Sequence, residues 1–487
     1  MPTLPAGRMK SVINRISRSR LSVIGAILLV FISPILAIAV VLDVQSVVNN
    51  PYFGFLIYLV LGPLFVTGVV LLAIGIITSR GKEDIGLFTL EYLEEQLSRP
   101  GRYSRIRRHL YFSLTLILLT LFLVALVSYT GFHYTESNAF CGQFCHTVME
   151  PAATSHANSP HSRIACVDCH IGKGSRWTAK TKFSGVKQLF AVMFDTYHRP
   201  IRQPLTTLRP QRETCEQCHR PEMFHGDKLY VKDRYLPDEQ NTHLQTALLM
   251  RIGSGGASGG RAHGIHWHVS EENPVFYKYT DLHQQQIAQV WMEKDNKKII
   301  YNKTVLQEEV ADTLLSGTVR KMDCMDCHNR PTHVFRSAEE AIDEKIRSGD
   351  ISRAIPFIKK NGVEIVSRAY PSTKEAMMAI ENGLFSWYQE HYPEFVTGKK
   401  RLLTKAVQAL QQSYRENVFP EMKVGWDTYT NFIGHRDDSG CFRCHRGEHV
   451  SEDGKVISHD CNSCHVILAE NKPSPDVLRI LKQEAAK

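Results

Sequence analysis

Each of the twelve cysteines in this chain belongs to a pair, and a histidine follows each pair directly: Cys141/Cys145/His146, Cys166/Cys169/His170, Cys215/Cys218/His219, Cys324/Cys327/His328, Cys441/Cys444/His445 and Cys461/Cys464/His465. In five pairs two residues separate the thiols; in the first, Gly142, Gln143 and Phe144 do. A two-residue gap matches two thiols to the vinyl groups of a haem edge, and the next residue falls beneath the iron as proximal ligand. The pattern therefore specifies six covalently held haem c groups. Zinc knuckles and disulfides are the competing readings. Neither needs the adjacent histidine, and with 22 histidines in 487 residues six such neighbours would arise by chance less than about once in ten million. No cysteine remains for a disulfide, so the porphyrins themselves must staple and fill a loop-rich fold.

Three apolar stretches precede the first pair: Leu21 to Leu42, Phe53 to Ile77 and Leu110 to Thr130. Each is long enough to cross a bilayer. The first is too long for a removed signal peptide and lacks a small-residue cleavage pattern. Arg8, Lys10, Arg15, Arg18 and Arg20 precede it, and Arg80, Lys82, Arg99, Arg102, Arg105, Arg107 and Arg108 fill the loop between the second and third, whereas residues 43–51 hold no Lys or Arg. By the positive-inside rule the N-terminus is cytoplasmic, and the third span carries everything after Gly131 to the periplasmic side of the inner membrane. Haem c is attached on that side, so charge bias and cofactor chemistry predict one topology.

The net charge of +9 raises nucleic acid as a partner. Much of that charge lies in the cytoplasmic segments, and six haems bring roughly a dozen propionate carboxylates. No nucleic-acid partner is expected; a lipid bilayer is. The chain is expected to divide into a membrane anchor with three transmembrane helices (1–131), a three-haem domain (132–235), a haem-poor Gly-rich and β segment (236–320), a fourth haem site with a helical spacer (321–428), and a two-haem segment and tail (429–487). The exported part is then mainly α and loop-rich, with a small β segment. Gly253 to Gly264 lacks the Lys-Ser/Thr ending of a phosphate loop and reads as a flexible connection. Val275 to Tyr279 and Ile287 to Tyr301 alternate with period two around an Asp295-Asn296 turn. Ala338 to Glu416 has helical spacing, with breaks at Pro356, Pro371 and Pro393. Phe183, Val186, Phe190, Met193 and Phe194 also recur at helical spacing, which suits a core helix packed on haem or a helix lying on the membrane surface.

Low-spin electron-transfer haems take a second axial ligand, usually His or Met, which leaves no position for substrate. Sixteen histidines remain beyond the proximal six. His161, His266, His268, His333, His435 and His449 stand close to an attachment site or in loop-like sequence and are the distal candidates. His156, His198, His225, His243, His263 and His459 form a weaker group. His109 lies at the end of a cytoplasmic loop, away from any iron.

Several stretches carry a family resemblance: Phe144-Cys145-His146-Thr147-Val148-Met149-Glu150-Pro151, Ser159-Pro160-His161, Cys166-Val167-Asp168-Cys169-His170-Ile171-Gly172, and Leu208-Arg209-Pro210 before Cys215. Together they resemble the NapC/NirT/NrfH family of membrane-anchored quinol dehydrogenases. Gly264-Ile265-His266-Trp267-His268, Cys327-His328-Asn329-Arg330-Pro331-Thr332-His333 and Gly440-Cys441-Phe442-Arg443-Cys444-His445 are similar to the larger inner-membrane members from metal-respiring bacteria. The resemblance covers about Phe140 to Ala469, with gaps. It implies a first haem bound by a Met just after its motif, a role that Met149 matches. Two departures leave both His146 and Met149 open as ligand of that iron: the motif has an extra residue, and Met149 stands three places after His146 instead of two. The family also places lysine and acidic side chains beside this haem for quinol binding and proton removal, and Lys180, Lys182 and Asp195 occupy that stretch. The small relatives have one span where this chain shows three apolar stretches.

Three function classes compete. One is oxidation of a membrane quinol, menaquinol or ubiquinol, with electrons passed through six haems to a periplasmic c-type cytochrome or reductase, as in anaerobic-type respiration. Another is an electron-relay subunit of a larger membrane complex whose quinol site lies elsewhere. A terminal reductase acting at an open haem fits less well, because no motif replaces its histidine by lysine and spare histidines abound.

Overall fold

The computed structural model describes residues 16, 19–44, 56–78, 129–144, 146–172, 175–203, 211–220, 226–254, 262–294, 297–304 and 317–485, with scattered positions from 104 to 126. Two compact units divide the chain: 1–137 with 171–186, and 138–170 with 187–487.

In the first unit, α1 (Arg20–Val44) contains the described helix that is long and apolar enough to cross a membrane, Arg20–Ala39, with mean hydropathy 2.7. A π-helical turn (Leu56–Leu61) leads into α2 (Gly62–Thr78), a 17-residue apolar helix. The two helices touch backbone to backbone. A methyl group on Gly25 would lie 2.5 Å from the Leu72 nitrogen, and one on Gly75 would lie 2.3 Å from that of Ser22. Such small residues let apolar helices approach where packing alone must hold them. Of the three expected spans, the first coincides with α1. The second is shorter than expected, because its N-terminal part is the π-helical turn, and most of the third lies outside the described residues.

The second unit opens with α3 (His146–Ala157) and the short α4 (Cys166–His170); α5 (Ser175–Met193) spans both units, and the short α6 (Gln211–Cys215) follows. Among the described residues, eight strands then form two antiparallel sheets. One has the order β1-β2-β8, from β1 (Lys228–Tyr235), β2 (His243–Met250) and β8 (His465–Lys472). The other has the order β6-β3-β4-β5-β7, from β3 (Val275–Tyr279), β4 (Ile287–Lys294), β5 (Lys297–Lys303), β6 (Thr318–Lys321) and β7 (His449–Ser451). The alternation read in the sequence is β3, β4 and β5, and Lys294 pairs with Lys297 across the expected turn, whose two residues lie outside the described set. Strands from 429–487 complete both sheets. That segment and 236–320, expected as separate blocks, are therefore interleaved.

The Gly-rich segment is tied at its ends. Ser254 bridges to His263, and a methyl on Gly253 would lie 2.0 Å from the His263 oxygen. Gly253 and Gly264 both adopt positive φ, +61° and +67°, which lets the two strands of chain meet. Ile265 N then donates to Arg251 O and His266 N to Ile252 O, seating the 3₁₀ turn Ile265–Val269 that carries His266 and His268. What read as a flexible connection is, at its described ends, a clamp.

The expected helical region forms α7 (Ala338–Arg347), α8 (Ile358–Val366), α9 (Thr373–His391), α10 (Pro393–Gly398) and α11 (Lys400–Asn417). Ser337 and Ser372 cap α7 and α9, and each proline stands at or just before a helix start, where its missing N–H costs nothing. Ile342, Ile355, Ile380, Leu384, Leu403 and Leu410 fill the core between the helices. Within it Lys359 Nζ meets Asp343 Oδ1 at 2.6 Å and Glu339 O at 2.6 Å, while Tyr235 N donates to Asp343 at 3.2 Å. Burial pushes the lysine down and the carboxyl up despite their pairing, so desolvation outweighs the attraction. Such a pair specifies geometry more than it adds stability. Lys359→Met should cost about 3–5 kcal/mol by stranding Asp343, and Lys359→Met with Asp343→Leu should recover most of that loss, as read from urea unfolding midpoints.

Candidate functional site

The third, fourth and fifth attachment motifs close on themselves locally. His219 N donates to Cys215 O at 2.8 Å, His328 N to Cys324 O at 2.8 Å, and His445 N to Cys441 O at 3.0 Å. An i to i+4 bond puts the histidine on the same side as the first cysteine, one turn along. At the second site the whole motif is the helix α4.

The motifs neighbour one another in sequence order. Cys141 donates to the Cys166 sulfur and holds that thiol down to about 7. Cys169 lies near Cys218 and Cys215, and Cys215 and Cys324 share a hydrogen bond that raises the first thiol and lowers the second. Cys441 and Cys444 border Cys327, which burial pushes up to about 12, and Cys464 borders Cys441. From the first site to the sixth, each has the next as neighbour.

Five of the six candidate distal histidines face a proximal one. Ring centres are 6.1 Å apart for His170 and His333, 5.9 Å for His219 and His161, 5.8 Å for His445 and His268, and 6.3 Å for His465 and His435. His266 is close enough to His328 for their charges to interact. Two metal–nitrogen bonds of about 2 Å, plus about 1 Å from each nitrogen to its ring centre, place imidazoles about 6 Å apart across a six-coordinate metal. The second nitrogen of five of these ten rings is engaged by a main-chain carbonyl. Nδ1 donates to Pro331 O from His161 (3.0 Å), to Ile252 O from His266 (3.0 Å), to Ile265 O from His268 (2.9 Å), to Ala152 O from His333 (3.0 Å) and to Ser458 O from His445 (2.6 Å). A carbonyl only accepts, so Nδ1 carries the proton and Nε2 keeps its lone pair for a metal. Burial lowers His170, His266, His268 and His328, and pushes His333 down to about 4. These rings are neutral at physiological pH, as ligation requires. The residues present fit haem at these positions. Among the described residues no cluster of three or more His, Cys, Asp or Glu converges as a zinc site would.

His449 is set apart. It is 1% exposed, its Nε2 lies 3.1 Å from Ile287 O, and its Nδ1 has no partner. The nitrogen arrangement is the reverse of that in His161, His266, His268 and His333. Among the weaker candidates, His243 meets Asp233 at 2.6 Å and stacks on Tyr235, while His156 lies 6.4 Å from His333. At the first site the side chain of His146, and Cys145 entirely, lie outside the described residues; Met149 is half-buried on α3.

The side chains of Lys180 and Lys182, on α5, also lie outside the described set. Just beyond α5, Asp195 has φ +53° and receives Arg199 Nη2 at 2.5 Å and Nη1 at 3.3 Å. That bond holds its carboxyl below the usual carboxylate range, which makes it a weaker proton acceptor. Leu189, Phe190, Met193 and Phe194 are exposed, with Phe190 and Phe194 stacked at 6.3 Å.

Sequence reasoning missed the carbonyls that orient the imidazoles and the buried Ser155, whose Oγ lies 3.3 Å from His333 Nδ1. It also missed Arg320, Tyr277 and Asp326, which interlock at the fourth motif. A carbonyl leaves no mark on residue identity; an aspartate inside a Cys-x-x-Cys motif was the available signal.

A profile described as the NapC/NirT cytochrome c family, N-terminal region, matches residues 104–229. The chain is 38% identical over 468 residues to the cytochrome c-type protein ImcH of Geobacter sulfurreducens, covering 94% of this chain and 90% of that one. It is 32% identical over 104 residues to the cytochrome c nitrite reductase subunit NrfH of Nitratidesulfovibrio vulgaris, covering 20% of this chain and 63% of that protein. No solved structure matches it. On the geometry above, His333→Ala should turn one haem from low-spin to high-spin in absorption and electron paramagnetic resonance spectra. His449→Ala should leave the low-spin population unchanged.

Proposed function

The chain belongs to the NapC/NirT family of multihaem c-type cytochromes, and on that premise we propose that it is a six-haem quinol dehydrogenase of the inner membrane. It takes electrons from a membrane quinol and hands them to a periplasmic c-type cytochrome or reductase. The opposed imidazoles carry this reading. The residues that would hold the irons are His170 with His333, His219 with His161, His328 with His266, His445 with His268 and His465 with His435, while His146 and Met149 remain alternatives at the first site. Haem supplies one-electron redox cycling, and two histidines per iron keep its coordination constant while it does so.

The sequence order of the neighbouring motifs supports a single path from the first site to the sixth. Uptake belongs at the first. Thr130 ends the third expected span and Cys141 follows eleven residues later, so this haem lies at most about 36–40 Å from the span's end. The exposed Leu189, Phe190, Met193 and Phe194 offer an apolar face to lipid or quinone. Lys180, Lys182 and Asp195 are the groups proposed to bind the quinol and receive its protons. Delivery belongs at the sixth site, where Cys461 and its neighbours Asn462 and Ser463 are exposed. Three spans with a cytoplasmic N-terminus would hold this path on the periplasmic side.

One observation favours the relay-subunit reading: Asp195 is committed to Arg199, which weakens it as a base. Purified protein mixed with a reduced menaquinol analogue separates the two. Rapid haem reduction without added subunits is expected, and inert haems would reject the dehydrogenase reading. Met149→Ala should slow quinol-dependent reduction while leaving the spectra of the other five haems unchanged; a normal rate would remove the first site from the path.

A further inference from the structure

Arg443, the residue before the second cysteine of the fifth motif, commits its guanidinium to three main-chain carbonyls. Nε donates to Gly440 O at 3.0 Å, in its own motif, and Nη1 to Gln284 O at 2.9 Å, between β3 and β4. Nη2 donates to Asp326 O. Asp326 holds the equivalent place in the fourth motif, directly before Cys327. The flat face of the guanidinium rests on the Phe432 ring at 3.9 Å. Each end of this bridge is rigid. Asp326 is 1% exposed, and its carboxylate accepts from the Tyr277 hydroxyl, from Arg320 Nε at 3.0 Å and from Asp323 N at 2.6 Å. Gly440 sits at φ +59°, so close to Gly434 and Phe432 that any side chain there would strike their carbonyls.

We propose that Arg443 is a positioning residue that fixes the separation and mutual tilt of the haems on the fourth and fifth motifs, and thereby their electronic coupling. This rests on the reading that both motifs carry haem. Two thioether bonds anchor each macrocycle to its peptide loop, so a stiff link between the loops is a stiff link between the macrocycles. Only arginine suits the place. A planar fork with five donors can reach three carbonyls in different directions while stacking on a ring, and the single ammonium of lysine cannot.

The test uses the full-length holoprotein with Arg443→Lys and Arg443→Gln. Mass spectrometry reads haem load, and electron paramagnetic resonance of the oxidised protein reads the magnetic interaction between neighbouring ferric haems. Both variants should keep the parent haem mass and lose or shift the interaction signal of one haem pair. Retention of the parent signal in both would overturn the proposal. So would its rescue by lysine alone, since charge and not geometry would then be the cause. Loss of covalent haem from either variant would also overturn it, by placing Arg443 in assembly of one site and not in the spacing of two. A haem-loaded parent with no interacting pair would overturn it as well, whereas a parent whose mass shows no covalent haem would instead defeat the underlying haem reading.

Discussion

A neutral imidazole held by its Nδ1 proton to a main-chain carbonyl is the interaction on which the rest of the arrangement depends. It fixes the ring plane and leaves the far nitrogen free for a metal. The acceptors for His161, His266 and His333 come from Pro331, Ile252 and Ala152, in segments 14 to 181 residues away. The orientation of these rings is therefore set by tertiary structure. For His266 and His333 burial lowers the pKa and outweighs the opposite pull of the carbonyl bond, so both rings stay unprotonated.

One short stretch serves several sites at once. Residues 324–328 form the fourth motif, the Pro331 carbonyl orients His161, and His333 faces His170. Asn329 is bonded in both directions to the chain at Thr430 and Phe432, and Phe335 joins an apolar cluster with Phe419, Met422 and Val424. Sites two, three and four are thus braced through a single segment. A substitution there would propagate to irons it never touches, which is the behaviour expected of densely shared partners.

The sequence made the attachment sites plain because covalent chemistry demands particular residues at particular spacing. Helices α7 to α11 were legible for a related reason: their apolar residues recur at helical spacing and Pro356, Pro371 and Pro393 mark their breaks within a few residues. The histidines that face a proximal one were partly legible. Nearness to a motif picked out His161, His266, His268, His333 and His435 as a group, but which faces which depends on contacts between distant segments. His449 shows the limit. It lies four residues from His445, yet pairing of β7 with β5 turns its ring toward Ile287. The clamp at Gly253 and Gly264 was hidden because glycine signals permitted conformations without saying which partner occupies the freed space.

The strand β8 begins at His465 itself and pairs with β2, more than two hundred residues earlier in the chain. The three-stranded sheet cannot be completed until nearly the whole polypeptide has been made. Contacts of such long sequence separation form late. During synthesis the last motif is consequently the last to be held by a sheet partner, while its exposed Cys461 stays at the surface even after β8 has paired. The strand that completes the sheet is in this way also the one that places the sixth histidine.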